Sequence, residues 1–321
     1  MEEKIYTMNK DDVFKIIQTM LKNPPVVIWG SGATIPFGMP SMYDLNTEIG
    51  NRFNFFDAST NNLEEELGKD KYRDSLPDIR KFIWKVVEKK DNEAQKGICK
   101  NDNCYLGVKE LIERFIDVEP QVLNIITTNY DRVLENVMAF NNINFTDGFN
   151  GRNLSYFDED LFINKKNVNL IKVHGSLNWF NIEDEVRYSY DAENTDCIII
   201  PPGKNKYQEV QKTPYRELIQ KSDTVIKNAK SLFVVGFGFN DEHLTPKIKM
   251  KIKNNCPIIL ITKKITETTE TELKNAKEYV LLEEDVNRKT KIRIKKRNET
   301  DEEKISLEGD YWQLNKFLEV I

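Results

Sequence analysis

The sequence predicts an α/β fold with a doubly wound, mostly parallel sheet and a helical insertion. Short, continuous apolar runs such as "VVIWG" (residues 26–30) are typical of strands buried on both faces of a parallel sheet. Amphipathic runs with helical spacing follow most of these strands, so strands and helices alternate. The alternation stops between residues 58 and 120, where amphipathic helices follow one another. The sheet is therefore expected to be Rossmann-like, with the insertion in one crossover.

The first elements are a helix, a buried strand and a second helix. "DDVFKIIQTMLK" has apolar residues at helical spacing, with Asp11 or Asp12 as its N-cap, and Pro24 and Pro25 end it. "VVIWG" follows as a strand, and "SMYDLNTEIGNRF" is predicted as a helix that begins at Ser41. In the insertion, "LPDIRKFIWKVVEKK" and "YLGVKELIERFIDV" are predicted helices joined by the polar segment "DNEAQKGICKNDN".

The alternation resumes after the insertion. We predict strands in "VLNIITTNYD", "NLIKVHG", "DCIIIPP", "LFVVGFGF" and "PIILITK". Helices are predicted in "RVLENVMAF", "YRELIQKSDTVIKNAKSL", "DEHLTPKIKMKIKNN" after Pro246, "ETELKNAKEYV" and "YWQLNKFLEVI". Residues 145–210 are expected to form a small lobe.

Composition excludes several classes of protein. A net charge of -5 argues against a general nucleic-acid binder, because the overall negative charge of the protein would weaken its attraction to the phosphates. No apolar run approaches the ~20 residues of a membrane span, and the N-terminus lacks the order of a secretory signal. The four cysteines form no regular framework, so a reduced, cytoplasmic setting is expected. The charged segment "NRKTKIRIKKRNETDEEK" is either a solvated hairpin or loop, or a patch that binds a partner.

A turn rich in glycine follows the first strand. Gly30 and Gly32 lie where the strand ends, and ligands of open α/β sheets bind outside the carboxyl ends of strands. Glycines there let backbone N–H groups approach a pyrophosphate, and Ser31 and Thr34 add hydroxyl groups. The Walker lysine pattern is absent, which argues against a nucleoside triphosphatase. A tight turn without a ligand would explain the same residues.

Three other strand ends carry polar or small residues. "TTNYD" places Asn129 and Asp131 after a second strand, and "VHGSLNW" places His174 after a third. "VVGFGFNDEHL" gives another Gly-x-Gly, followed by Asn240. Each feature alone has a structural explanation, such as a turn-forming asparagine or a buried histidine. Their joint occurrence at strand ends favours a binding or catalytic site.

These motifs together resemble the sirtuin-like family, in particular its bacterial NAD-hydrolysing branch found in anti-phage defence systems. The resemblance is carried by four motifs in order: Gly30-Ser31-Gly32-Ala33-Thr34 with Gly38-Met39-Pro40, Thr127-Thr128-Asn129-Tyr130-Asp131, His174-Gly175, and Gly236-Phe237-Gly238 with Asn240-Asp241. The final "GDYWQLNKFL" is also typical of that branch. The resemblance covers nearly the whole chain and implies a single sirtuin-like catalytic domain over residues 1–321.

The resemblance implies a role for each site residue, with NAD as the substrate. Asn129 and His174 would be catalytic, with the imidazole as general base. The cofactor-binding residues would be Gly30, Ser31, Gly32, Ala33, Thr34, Asp131, Gly236, Gly238 and Asn240. Asp131 would orient Asn129 or a ribose hydroxyl, or else cap the helix from Arg132, and Asp241 is a ligand or a helix cap. His243 is expected only to begin a helix.

The departures from the deacylases concern acyl transfer and zinc. Ser41-Met42-Tyr43 stands where deacylases carry aspartate-phenylalanine-arginine. Cys99 and Cys104 precede His174, and only Cys197 lies between His174 and the late strands, so no metal is expected. The leading hypothesis is therefore an NAD hydrolase that depletes NAD in abortive infection. A deacylase or ADP-ribosyltransferase, and a non-catalytic sensor of NAD or ADP-ribose, are the alternatives.

Such an enzyme would deplete cellular NAD, so an inactive resting state is expected. Control would come from a homo-oligomer or from a separate sensor chain, such as an ATPase or an Argonaute-like protein. No direct contact with nucleic acid or membrane is expected. The helical insertion and the basic C-terminal segment are the predicted contact surfaces.

Overall fold

The structure is a computed structural model that describes residues 8–60, 62–100, 105–151, 154–163, 167–189, 196–203, 212–299 and 301–321. Its helices are α1 (Lys10–Met20), α2 (Met42–Arg52), α3 (Leu63–Leu67), α4 (Leu76–Cys99), α5 (Leu106–Ile116), α6 (Val133–Phe140), α7 (Tyr215–Asn228), α8 (Leu244–Lys253), α9 (Glu267–Leu273) and α10 (Leu314–Leu318). Its strands are β1 (Val26–Trp29), β2 (Val122–Thr127), β3 (Phe145–Thr146), β4 (Phe149–Gly151), β5 (Leu154–Phe157), β6 (Asn167–Lys172), β7 (Gly175–Ile182), β8 (Glu185–Ser189), β9 (Asp196–Ile199), β10 (Leu232–Val235), β11 (Ile258–Thr262), β12 (Tyr279–Asp285), β13 (Lys289–Lys295) and β14 (Glu303–Glu308).

The central sheet has nine strands in the order β14-β13-β12-β11-β10-β1-β2-β6-β3. The pairs from β12 to β3 are parallel, and β13 and β14 add an antiparallel edge. Without the edge strands, the strands β6, β2, β1, β10, β11 and β12 have the 3-2-1-4-5-6 order of a doubly wound fold. The predicted fold class is confirmed. The strand order reverses between β1 and β10, and ligands bind at such a switch point.

Two hydrophobic cores lie on opposite faces of this sheet. Val27 and Trp29 of β1 pack in one core with buried residues of α1, α2, α4, α5, α6 and α10. Val26 and Ile28 pack in the other core with residues of α7, α8 and α9. Because successive side chains of a strand point to opposite faces, both sets must be apolar. This double burial produces the continuous apolar runs from which the strands were predicted.

A second sheet, antiparallel and five-stranded, has the order β4-β5-β8-β7-β9. It lies within residues 145–210, the region predicted as a small lobe. The predicted strand in "DCIIIPP" is β9, which pairs antiparallel with β7. The chain leaves the central sheet after Lys172 and enters the second sheet at Gly175. His174 therefore lies in the short junction between the two sheets.

The predicted insertion is helical and packs on the central sheet. Its longest helix, α4, continues through Cys99, so the prediction that "DNEAQKGICKNDN" joins two helices is wrong for residues 91–99. Asp91, Ala94 and Ile98 are buried at helical spacing and extend the inner face of α4. The remainder of that segment, with Cys104, lies largely outside the described residues.

Two helix boundaries differ from the predictions. Asn9, rather than Asp11 or Asp12, is the N-cap of α1, and Asp12 completes its capping box. The segment "ETELKNAKEYV" is helical only as far as Leu273, because Tyr279 and the residues after it form the buried strand β12. The predicted capping of α2 by Ser41 is confirmed, since its hydroxyl accepts the N–H of Asp44 at 3.1 Å.

The charged C-terminal segment forms the hairpin β13–β14, and most of its cations have acidic partners. Lys289 pairs with Glu308, Lys291 with Glu283, Lys296 with Glu303 and Arg297 with Glu278, at 2.7–2.9 Å. These pairs support the hairpin interpretation and neutralise much of the charge that a nucleic-acid patch would need. Among the described residues, no helix combines the length and apolarity needed to cross a membrane.

Candidate active site

A cleft lies at the carboxyl edge of the central sheet, around the switch point between β1 and β10. Its empty space is about 830 Å³ including the open mouth. The structure brings together seven of the predicted site residues in its lining: Ser31, Thr34, Asn129, Asp131, His174, Gly238 and Asn240. The cleft lining does not include the other four predicted residues, Gly30, Gly32, Ala33 and Gly236.

The glycines outside the lining hold two turns in close backbone contact. The N–H of Gly30 donates to the carbonyl of Val235, and the N–H of Gly32 donates to that of Gly236, both at 2.9 Å. A Cβ added at Gly30 would lie 2.4 Å from the Gly236 oxygen, and one added at Gly236 would lie 2.2 Å from the nitrogen of Ala33. Gly236 also has a φ of +58°, which disfavours other residues. Both turns therefore require glycine for packing.

These contacts limit how the first turn can bind a phosphate. The N–H of Ala33 donates to the Gly30 carbonyl at 3.0 Å, so the N–H groups of Gly30, Gly32 and Ala33 are all engaged within the protein. The predicted phosphate binding through those three groups does not fit this geometry. Ser31 and the hydroxyl of Thr34 remain in the cleft lining, and their role in cofactor binding stays a prediction.

Asn129 is fixed by the first glycine turn. Its side-chain nitrogen donates to the Gly30 carbonyl at 3.1 Å and to the Thr34 hydroxyl at 3.3 Å. Its backbone N–H donates to the Thr127 hydroxyl at 3.0 Å. Because these bonds use both amide hydrogens, the amide oxygen is the part of the side chain suited to accept a bond from a ligand or water.

Asp131 contacts the start of α6 and the first glycine turn, and its predicted role in orienting Asn129 or a ribose hydroxyl stays a prediction. One carboxylate oxygen accepts the N–H of Val133 at 3.2 Å at the start of α6, and the other faces the Thr34 hydroxyl at 3.3 Å. Burial, with further contributions from Asp91 and Glu135, raises the pKa of Asp131 to about 7. The carboxyl group therefore titrates near neutral pH, within the network that holds Asn129.

A buried lysine ties this network to the strand that leads to His174. Lys172, only 1% exposed, contacts Glu135 at 2.6 Å and donates to the backbone carbonyl of Asp131 at 2.5 Å. A buried cation is stable only with such partners. The loop after β2 and the end of β6 are consequently held in a fixed relation. The sequence analysis did not identify Lys172, although a lysine in the apolar run "NLIKVHG" was a signal of a buried polar contact.

His174 is held through its own backbone and through its imidazole. Its carbonyl accepts the N–H of Ile200 at 2.9 Å. The next residue, Gly175, has a φ of +88°, and an added Cβ would lie 2.3 Å from the Ile198 oxygen. The imidazole is buried, and its Nε2 lies 2.9 Å from Oδ2 of Asp241. His174 therefore enters the cleft with a carboxylate beside it.

The loop after β10 supplies Gly238, Asn240 and Asp241 to the cleft. Asp241 also caps α8, because its Oδ1 accepts the N–H groups of His243 at 3.0 Å and Leu244 at 2.7 Å. The helix begins at Leu244, immediately after His243 as expected, although it was predicted to begin only after Pro246. From the sequence, ligand and helix cap were alternative roles for Asp241. The contact with His174 was not predicted, because the two residues are far apart in the sequence.

The insertion contributes to one wall of the cleft. Glu64 of α3 and Val87 of α4 line it from the insertion, and Met42 of α2 and Pro202, after β9, line it from outside the insertion. None of these was predicted as a site residue, because an acidic run such as "LEEEL" and an apolar helix face are ordinary features. Within the described residues, no group of three or more histidine, cysteine or acidic side chains is placed to hold a metal. The absence of a metal stays a prediction.

Fold and cleft together define a doubly wound α/β protein with a cleft at its switch point. The chain matches the family described as SIR2-like domain over residues 123–300, which is more than half of its length. It therefore belongs to the SIR2-like family. Membership supports an NAD-dependent function of the sirtuin type.

The chain is also similar to solved structures. A mutant Sir2 homologue in complex with 2'-O-acetyl ADP ribose has a TM-score of 0.49 at 16% identity, over 85% of this chain and 90% of that one. A Sir2 homologue–NAD complex has a TM-score of 0.48 at 15% identity, over 86% of this chain and 88% of that one. No curated protein matched the chain.

Proposed function

We propose that this protein is an NAD hydrolase that cleaves the bond between nicotinamide and ribose. The observation that carries the proposal is the presence of Asn129 and His174 in one cleft at the switch point of a SIR2-like fold. Binding alone does not require an imidazole held beside a carboxylate, which is the arrangement of a general base. This favours an enzyme over a sensor.

The reaction balances with water as the only co-substrate. The water oxygen attacks C1′ of the ribose while the bond to the nicotinamide nitrogen breaks, and the bonding electrons neutralise the pyridinium. The water gives its proton to His174, so the products are nicotinamide, ADP-ribose and one proton. Because nicotinamide leaves without being protonated, one base is sufficient, whereas glycosidases need an acid and a base.

Asn129 would orient the reacting groups. Its two amide hydrogens bind the Gly30 carbonyl and the Thr34 hydroxyl, which presents its amide oxygen for a bond from the attacking water or a ribose hydroxyl. Ser31, Thr34, Gly238 and Asn240 would line the remainder of the cofactor site. Gly30, Gly32, Ala33 and Gly236 would act indirectly, by holding the two turns together.

Hydrolysis is preferred over acyl transfer because of residues beside the cleft. Ser41-Met42-Tyr43 replaces the aspartate-phenylalanine-arginine of the deacylases that the sequence resembles. Met42 lines the cleft, whereas the Tyr43 side chain is 68% exposed. Ser41 and the solvent-facing Tyr43 stand at the two charged positions of that motif, and neither side chain carries a charge at neutral pH.

The test is to incubate the purified protein with NAD, with and without an acetylated peptide, and to measure released nicotinamide. Release without peptide supports hydrolysis; release only with peptide would indicate acyl transfer, and retention of intact NAD would indicate a sensor. His174→Ala should reduce release by roughly 10²–10⁴-fold, the usual contribution of a general base, while NAD still binds. His243→Gln, a change at the only other histidine, is the matched control and should retain activity.

The biological role that fits this reaction is depletion of NAD in bacterial anti-phage defence, within the cytoplasm. An enzyme that depletes NAD must be inactive in the resting cell, so we propose that its activity is controlled by self-assembly or by a separate sensor chain. The corresponding measurement is NAD turnover over a range of protein concentrations, with the oligomeric state determined by light scattering. Full turnover by a monomer at every concentration would contradict this part of the proposal.

A further inference from the structure

The strand β14 lies at one edge of the central sheet and is paired on one side only. Among the described strands its sole neighbour is β13, which it follows in continuous register from Glu303 to Glu308. It contains no proline and no bulge, two features that commonly protect an edge strand from pairing. The strand at the opposite edge, β3, has only two residues. One long edge of the sheet therefore directs backbone N–H and C=O groups outward.

The side chains of β14 divide between the two faces of the sheet. Ile305 and Leu307 are partly buried and pack against the hydrophobic core on one face. Lys304, Ser306 and Glu308 are exposed on the other face. An apolar pair on one face and two opposite charges on the other are features that cross-strand pairing can use.

The two charged side chains have partners within the chain, but both are well exposed. Lys304 lies 3.5 Å from Glu302 and is 66% exposed, and Glu308 lies 2.7 Å from Lys289 and is 78% exposed. Ion pairs between exposed groups contribute little stability, because water screens them. Both side chains can therefore exchange these partners for others at the edge of the sheet.

Symmetry restricts how two copies of β14 can pair with each other. Two identical strands that pair antiparallel in one sheet are related by a two-fold axis perpendicular to that sheet. Such an axis keeps every side chain on its own face, so opposite residues must differ by an even number of positions. Within the six residues of β14, only the registers centred on Ile305 and on Ser306 pair five residues of each copy.

These two registers differ in the side chains that they bring together. The register centred on Ser306 places Lys304 of each copy opposite Glu308 of the other, and it places Ile305 opposite Leu307. Each pair occurs twice because of the two-fold axis. Opposite charges and apolar side chains in directly opposed positions stabilise antiparallel strands.

The register centred on Ile305 lacks this complementarity. It places the carboxylate of Glu303 opposite Leu307 and the ammonium group of Lys304 opposite Ser306, so it forms no ion pair between copies. The sequence of β14 is therefore self-complementary in a single register.

We propose that β14 is a homodimer interface at which two copies of the chain pair antiparallel around Ser306. The two nine-stranded sheets then form one continuous sheet across the axis. A lysine on an edge strand discourages pairing with other chains, whereas Lys304 meets a glutamate in this register. The inference rests on the self-assembly part of the proposed function, to which it assigns a surface, and it does not depend on NAD turnover.

Charge reversal tests the interface and its register by analytical ultracentrifugation. The wild-type protein should dimerise reversibly as its concentration rises through the micromolar range. Lys304→Glu and Glu308→Lys each turn two ion pairs per dimer into repulsions, so each should raise the dimer Kd by roughly tenfold or more. Lys90→Glu, at an exposed ion pair on α4, is the matched control and should leave the Kd unchanged.

An equimolar mixture of the two charge-reversal variants should recover a dimer. Glutamate at position 304 of one chain then faces lysine at position 308 of the other, and the second pair consists of Lys304 and Glu308. Each variant keeps its own contacts within the chain when the two are mixed. Recovery of near wild-type affinity therefore reports only the contact between copies.

A disulfide introduced on the axis gives a second measurement. Directly opposite residues of antiparallel strands have Cα atoms about 4.5–5.5 Å apart, which is within the range of a disulfide. In Ser306→Cys, diamide should therefore link two copies, as the two thiols lose two electrons and two protons to the oxidant. The hydroxyl of Ser306 has an exposed contact with Asp285 at 2.7 Å, so its loss should not affect folding.

The controls for cross-linking are the wild-type protein and Lys304→Cys. The wild-type protein reports any linkage through the natural cysteines. In Lys304→Cys the two thiols would be separated by four residues along the strands, or roughly 14 Å, and should not join. Linkage in Lys304→Cys but not in Ser306→Cys would contradict the register.

Three results would overturn the inference. These are a wild-type protein that stays monomeric at high micromolar concentration without linkage in Ser306→Cys, a dimer that neither charge reversal weakens, and a mixture that does not recover affinity. If a charge-reversal variant fails to fold, linkage in Ser306→Cys decides. Nicotinamide release from the same samples tests the proposed reaction separately: an active monomer removes the interface and keeps the hydrolase, whereas an inactive dimer does the reverse.

Discussion

The N–H of Gly32 donates to the carbonyl oxygen of Gly236 at 2.9 Å, and this bond joins the turns that follow β1 and β10. The contact is between two backbones, so side chains at either position would separate the turns. It also places the backbone of each turn where the strand order reverses. The cleft that contains His174 is built around this junction.

Gly236→Ala should destabilise the fold. The new Cβ would lie 2.2 Å from the nitrogen of Ala33, at a φ of +58° that alanine adopts only with strain. We expect the free energy of unfolding to fall by roughly 2–4 kcal/mol in urea denaturation. Gly238→Ala is the matched control: its Cβ would meet only the Asn240 side chain, at 3.6 Å, so its stability should be near wild type. Equal stability of both variants would contradict the packing role of Gly236.

Lys172→Met should destabilise the fold, because it leaves the carboxylate of Glu135 without its buried cation. We expect a loss of roughly 3–5 kcal/mol in the free energy of unfolding, as for other broken buried pairs. The double variant Lys172→Met/Glu135→Gln should recover part of the loss, since no unpaired charge remains. Lys90→Met breaks an exposed pair with Glu93 and should change stability by less than about 1 kcal/mol. A double variant no more stable than Lys172→Met would argue against charge pairing as the cause.

Glu66→Gln should reduce stability at neutral pH and weaken its dependence on acid. Burial alone would raise the pKa of Glu66, but hydrogen bonds from Lys69, Tyr72 and Lys71 outweigh it and lower the pKa to about 2. The stabilisation is therefore complete above about pH 4.5 and is lost as the pH falls towards 2. Unfolding measured from pH 7 to 2 should show a gap of roughly 1–3 kcal/mol between wild type and variant that closes at low pH.

The control for this measurement is Glu65→Gln, which removes an exposed carboxylate one residue earlier in α3. Its stability should stay within about 0.5 kcal/mol of wild type. A gap for Glu66→Gln that persists unchanged at pH 2 would show that the ion pairs do not supply the stabilisation.

Asp131→Asn should have the opposite pH dependence. Burial raises the pKa of Asp131 to about 7, so the folded state holds its proton more tightly than the unfolded chain does. Ionisation therefore costs stability progressively as the pH rises from about 4 through 7. Relative to the variant, wild type should lose a few kcal/mol over this interval, at about 1.4 kcal/mol per pKa unit. Urea denaturation at pH 4.5 and pH 8 measures the change.

Asparagine keeps an oxygen that can accept the N–H of Val133, so loss of the α6 cap should not obscure the comparison. Asp184→Asn, at an exposed turn position with a φ of +63°, is the control and should differ equally little from wild type at both pH values. A constant difference between Asp131→Asn and wild type across this range would disprove the titration of Asp131.

The central sheet was predictable because its strands are buried on both faces. Strands of this kind are continuous apolar runs, which can be recognised in the sequence. The end of α4 was not predicted, since the buried Asp91 interrupts its inner face with a charge. That charge is balanced by Arg132, whose side chain reaches it at 2.7 Å from a distant part of the chain. A single sequence contains no signal for such a pairing.

The candidate site was predictable in part: its strand-end residues could be identified from the sequence, but the contacts between them could not. Asn129 and His174 follow buried parallel strands, and the rule for strand ends was enough to place both at one edge. The partnership of His174 with Asp241 joins residues from different crossovers, so only the folded chain shows it. The engaged N–H groups of Gly30 and Gly32 were also hidden, because a glycine needed for packing and one needed for a phosphate look alike in sequence.

His174 stands between Lys172, the last residue of a strand in one sheet, and Gly175, the first residue of a strand in the other. Its position is therefore a property of the joint and not of either sheet alone. A change in the angle between the antiparallel sheet and the parallel sheet would therefore move the imidazole. The contact with Asp241 would limit that movement.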